Sequence, residues 1–72
     1  MERTTLFGKN RVEFWACNDS ESFVTIRVTT IADRKKETDL VRLEPYEIRK
    51  IEIQKNNVLC VVLEHRHFVY VK

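Results

Sequence analysis

Glycine appears once in the 72 residues, at Gly8, and proline once, at Pro45. A single glycine excludes the glycine-rich loops that cradle phosphates. It also sets the chain apart from most β-rich sequences, whose tight turns draw on glycine; here Asn, Asp and charged residues must take that part. Long apolar stretches are missing as well. The longest, Val58-Leu59-Cys60-Val61-Val62-Leu63, falls far short of the ~20 residues a membrane-spanning helix requires. Met1-Glu2-Arg3-Thr4 has no apolar signal core. The expectation is a cytoplasmic protein with no membrane partner. Cysteine is limited to Cys17 and Cys60; two buried thiols in a reducing compartment are expected, with a disulfide as the alternative. Charge of one sign is lacking too. Thirteen Lys and Arg against eleven Asp and Glu leave +2, too little to announce a polyanion partner.

What is present is charge in quantity, 33% of the residues, and apolar alternation. The length corresponds to one domain, 1–72. Chains this small bury roughly 60% of their unfolded surface, so oligomerisation commonly supplements the core. The run 58–63 is too short for a helix core and rich in branched side chains, which reads as a strand buried on both faces. Such a strand needs a second layer or a partner to cover it. The predicted fold is therefore all-β, a small antiparallel sandwich or flattened barrel of six to seven strands.

Residues 4–7 make a first strand, followed by the polar turn Gly8-Lys9-Asn10. In 11–17, Val12, Phe14 and Ala16 share one face, with Trp15 and Cys17 on the other. Asn18-Asp19-Ser20-Glu21-Ser22 is a turn signal. In 23–30, Val24, Ile26 and Val28 alternate with Thr25, Arg27 and Thr29, the clearest half-exposed strand. Residues 32–39 read as a basic loop leading to a strand at 40–43, with a short helix capped by Asp33 as the alternative. Glu44-Pro45-Tyr46 turns into a strand over 47–55. Ile48 is out of phase with Ile51 and Ile53, which predicts a bulge near Arg49-Lys50.

Asn56-Asn57 suits a two-residue hairpin. That turn sets Ile53 opposite Cys60 and Ile51 opposite Val62. A second tight turn at His65-Arg66 sets Val69 beside Val62. The outcome is a C-terminal meander with a core face of Ile51, Ile53, Cys60, Val62, Val69 and Val71. Its second face of Leu59, Val61, Leu63, Phe68 and Tyr70 is also apolar and needs a cover.

The order of signals resembles a compact immunoglobulin-like sandwich. It runs from Asn18 with Ser20 through Val24-x-Ile26-x-Val28, Ala32-Asp33-Arg34, Leu43-x-Pro45 and Ile51-x-Ile53 to Phe68-Val69-Tyr70-Val71. It is also similar to the β-sandwich of the sensory rhodopsin transducer family. The likeness covers residues 11–71 and implies a sandwich that binds other macromolecules; it transfers no site residues. One departure is that Trp15 precedes Cys17, whereas the immunoglobulin tryptophan follows the first cysteine on the next strand.

Chemistry-bearing clusters are sparse. His65 and His67 flank Arg66 without a third ligand at metal spacing, so they read as solvated turn residues. Nucleophilic catalysis needs Cys17 or Cys60 beside a histidine and an orienting carboxylate; Cys60 is expected to point to the core and the chain is too short to build a sizeable cleft, so no cofactor or catalytic role is expected. The expected function is a non-catalytic protein-interaction module, a homo-oligomer included, using Trp15, Leu59, Val61, Leu63, Phe68 and Tyr70. The rival is single-strand nucleic-acid binding through Arg34, Lys35, Lys36, Arg49 and Lys50, with aromatics to stack bases. A short, charged, motif-free chain also suits a viral or mobile-element protein.

Overall fold

Alternating apolar residues resolve into seven strands and no helix in the computed structural model, which describes all 72 residues. The strands are β1 (Glu2–Leu6), β2 (Arg11–Asn18), β3 (Val24–Ala32), β4 (Lys35–Leu43), β5 (Ile48–Gln54), β6 (Val58–His65) and β7 (Val69–Val71). They form two antiparallel sheets, β1-β6-β3-β4 and β5-β2-β7. This is a sandwich of two open sheets and not a closed barrel. Val12, Phe14 and Ala16 from one sheet meet Val24, Ile26, Val28, Leu43, Val61 and Leu63 from the other in a single buried cluster. The alternation predicted for β2 holds residue by residue, and that for β3 holds from Val24 to Val28, beyond which Thr29, expected to be exposed, is covered as well.

Only β3 and β4 form a hairpin within one sheet; the other five connections cross from sheet to sheet. This overturns the C-terminal meander. β5 pairs with β2, β6 lies between β1 and β3, and β7 pairs with β2. Asn56-Asn57 is a crossing whose backbone is held by the turn after β1: Lys55 N donates to Asn10 O and Val58 N to Lys9 O. Phase changes as well. Leu59 is an extra residue in β6, since Ala32 pairs with Val58 while the neighbouring Ile31 pairs with Cys60. This bulge turns Val58, Val61, Leu63 and His65 inward and leaves Cys60 and Val62 on the outer face. No bulge interrupts β5, whose register with β2 is continuous from Cys17–Ile48 to Arg11–Gln54. Ile48 simply points outward.

The stretch 32–39 is neither loop nor helix. Asp33 and Arg34, at φ 49° and 62°, make a two-residue turn, and β4 begins at Lys35. As an edge strand it needs no apolar alternation until Val41 and Leu43 reach the core. Chain crossings at the far end are tied by Asn18. Its buried amide donates to Ser22 O at 2.8 Å and Glu44 O at 2.9 Å, and its Oδ1 accepts from Ser20 Oγ at 2.8 Å. The lone glycine also has a steric reason. A Cβ at Gly8 would lie 2.8 Å from both Arg11 O and Val12 Cγ2.

Two stability measurements test this packing. Leu63→Ala is expected to cost about 2–5 kcal/mol in a denaturant titration, whereas Leu59→Ala costs less than about 1 kcal/mol. Arg34→Gly is expected to raise stability by about 0.5–1 kcal/mol, because an L-residue there occupies the left-handed region that glycine enters freely.

Candidate functional site

The same alternation that buries Phe14 sends Glu13, Trp15 and Cys17 to the outer face of β5-β2-β7. Register then builds rows across that face. Cys17 lies between Ile48 of β5 and Tyr70 of β7. Trp15 lies between Lys50 and Lys72, exchanging backbone bonds with Lys72 at 3.1 and 3.0 Å. Glu13 lies beside Glu52. Trp15 is 49% exposed, Tyr70 53% and Ile48 66%, and Cys17 is half-buried among them. Three large apolar side chains thus share one small sheet face with a thiol at their centre.

Charge borders this patch on one side. Arg11 Nη2 reaches Glu52 Oε1 at 2.8 Å and Glu13 Oε1 at 3.3 Å, while Lys50 Nζ reaches Glu13 Oε2 at 2.7 Å and Glu52 Oε1 at 3.6 Å. The hydrogen bond from Arg11 holds the Glu52 carboxyl below its ordinary range. Arg11 and Lys50 are raised in turn, chiefly by hydrogen bonds to Glu52 and Glu13. Being exposed, these pairs contribute little to stability. Their consequence is electrostatic: two cations and two carboxylates cancel beside the aromatic patch.

Of the six residues the sequence put forward as an interface, this face brings together Trp15 and Tyr70. Val61 and Leu63 are fully buried in the core and present nothing to a partner. Leu59 is exposed, but on the bulge of the other sheet. Phe68 packs against the core from the turn before β7. Cys17 and Ile48 were missed. The signal for Ile48 was its phase, opposite to Ile51 and Ile53, which is the mark of an outward residue on an unbroken strand.

The basic residues of the rival reading are dispersed. Arg34, Lys35 and Lys36 sit at the β3–β4 hairpin, whereas Arg49 and Lys50 lie on β5 in the other sheet. Arg49 forks onto Glu47 with bonds of 2.8 and 3.0 Å, which lowers the Glu47 carboxyl. His65 is not a solvated turn residue. It is 3% exposed, with Nδ1 donating to Arg66 O at 3.1 Å and Nε2 accepting from Thr4 Oγ1 at 3.0 Å. His67 packs edge-on against Phe68. No three His, Cys, Asp or Glu side chains converge as metal ligands. Cys17 and Cys60 are free thiols on opposite outer faces of the sandwich, each only partly buried. No family model, curated protein or solved structure matches the chain.

The lowered carboxyls give a pH dependence with a definite sign. Glu47 and Glu52 titrate lower in the folded than in the unfolded chain. Their stabilisation is therefore complete above the ordinary carboxylate value of about 4.3 and is lost as pH falls through the lowered folded value. The melting temperature should drop between pH 5 and pH 3. The drop should be shallower in Glu52→Gln and weaker in 1 M NaCl.

Proposed function

We propose that this chain is a non-catalytic protein-interaction module whose partner is a second copy of itself, bound through the outer face of β5-β2-β7. The row of Ile48, Cys17 and Tyr70 beside Trp15 carries this reading, because exposed aromatic anchors on a sheet face are the usual centre of a protein interface. Self-complementarity points to a second copy. Trp15 and Cys17 are two apart on one strand, so an antiparallel copy seats each bulky indole on the partner copy's small thiol. The same rotation lays the Lys72 stem on the partner copy's Tyr70 and the Lys50 stem on its Ile48. The neutralised cluster of Arg11, Glu13, Lys50 and Glu52 adds no net repulsion.

Size sets the affinity class. Three strands at ~4.8 Å spacing and seven residues at ~3.3 Å make a face of about 14 by 23 Å, which belongs with weak, reversible contacts of under about 1,200 Å². Association in the micromolar range follows. Light scattering from 5 to 500 μM is expected to show a concentration-dependent dimer, with the emission of the only tryptophan shifting to the blue as it forms. Trp15→Ala should weaken association at least about thirtyfold, the loss expected of a hot spot. Cys17→Phe should also abolish it while leaving the circular dichroism unchanged. A monomer across the whole range, or a Trp15→Ala variant that still dimerises, overturns the proposal.

A further inference from the structure

The opposite face of the sandwich has different chemistry. Across the outer side of β1-β6-β3-β4 the registers place Arg3, Glu64, Arg27 and Leu40 in one row. Thr5, Val62, Thr29 and Thr38 form the next, and Cys60, Ile31 and Lys36 the third. Arg42 stands beside Thr25, its guanidinium 4.2 Å from the centre of the Phe23 ring. This face therefore holds four cations, Arg3, Arg27, Lys36 and Arg42, and a single carboxylate, Glu64. Arg3 and Arg27 each approach Glu64 only to 4.0 Å, so one acid is shared loosely between two guanidiniums. Four cations against one acid give the face +3, more than the +2 of the entire chain. Glu37 and Asp39 of β4 have the opposite phase and point to the other side of the sheet.

The floor between these cations is low. Thr29 is only 7% exposed and its hydroxyl lies 3.3 Å from that of Thr38. Val62 and Ile31 complete a shallow depression rimmed by Arg3, Lys36 and Glu64. The face is thus a flat, hydroxyl-lined surface with guanidiniums and an ammonium at its margins and one exposed aromatic at its end. Guanidiniums bind phosphate oxygens in pairs, and hydroxyls add neutral donors. No helix or long loop projects from this sheet to enter a duplex groove. A chain laid across the surface, with phosphates on the cations and a base against Phe23, matches its shape.

We propose that the outer face of β1-β6-β3-β4 binds single-stranded nucleic acid, with Arg3, Arg27, Lys36 and Arg42 on the phosphates and Phe23 stacking a base. This surface is separate from the Trp15 face and does not depend on self-association. Fluorescence polarisation of labelled 12-nucleotide oligo(dT) and oligo(rU), with the full chain at 50 to 300 mM NaCl, tests it. Four phosphate contacts predict that log affinity falls against log salt with a slope of about −3, from about 0.7 per contact on single strands. Arg27→Ala and Arg3→Ala should each lower affinity and flatten the slope by about 0.7. Phe23→Ala should cost about tenfold with the slope unchanged, within the range for loss of a stacked base. Trp15→Ala and Cys17→Phe should leave binding intact, which separates this site from the self-association surface. Absence of binding at 50 mM NaCl overturns the proposal. So does equal competition by poly-glutamate, which would make the face a docking site for acidic protein. Binding indifferent to Arg27→Ala and Phe23→Ala overturns it as well.

Discussion

The phase of β6 is the constraint on which the rest of the molecule depends. This strand lies between β1 and β3, so its inward residues decide what the larger sheet contributes to the core. Beyond Leu59 two phases exist: Val61, Leu63 and His65 inward, or Cys60, Val62 and Glu64 inward. The second would carry the Glu64 carboxylate into an apolar layer, at a cost of several kcal/mol without a buried counter-charge. The first buries two large apolar side chains and one histidine whose two ring nitrogens both find partners. The first phase therefore prevails. The bulge at Leu59 then lets Val58 turn inward as well, beneath the backbone of Lys9. Glu64, left outside, becomes the one acid among the cations of the outer face.

Where a strand's face is decided within the strand, the sequence was legible. β2 alternates throughout and β3 as far as Val28, and each residue predicted to be buried there is buried. Partner choice is a different matter. A two-residue hairpin and a crossing to the other sheet both need polar, turn-tolerant residues, and Asn56-Asn57 supplies them for either. The distinction lies in Asn10 and Lys9, whose carbonyls hold that turn from 45 and 49 residues away. Conversely, the one true hairpin turn is Asp33-Arg34, and arginine at positive φ has no sequence signature. The same division applies to the site. Trp15 was legible as an outward residue of β2. Its neighbours Ile48 and Tyr70 depend on β5 and β7 both pairing with β2, which alternation alone does not specify.

The scarcity of glycine now has a structural counterpart. With five of six connections crossing between sheets, the chain has one place for a tight hairpin and fills it without glycine. The crossings need anchoring more than tightness. Buried Asn18 provides it at one end, joining the loops after β2 and β4, and Asn10 provides it at the other through Lys55 and Asn57. Such non-local closure also places the fold among slowly forming topologies, since most strand pairs join distant parts of the chain.

Crossing connections have one more effect, on charge. Apart from β3 and β4, strands adjacent in sequence fall in different sheets, so the charges of one strand are separated in space from those of the next. Glu13 and Glu52 meet Arg11 and Lys50 on one face and cancel. Arg3, Arg27, Lys36 and Arg42 collect on the other with Glu64 as their only acid. Packed sheets lie about 10 Å apart, and outward side chains add to that separation. At physiological ionic strength the screening length is about 8 Å. Each face therefore presents its own charge to a partner, and the other is largely screened from it. The net charge of +2 therefore describes neither surface, and a ligand never meets the two together. Whatever binds the aromatic face meets a nearly balanced field, and whatever binds the threonine-lined face meets a strongly positive one.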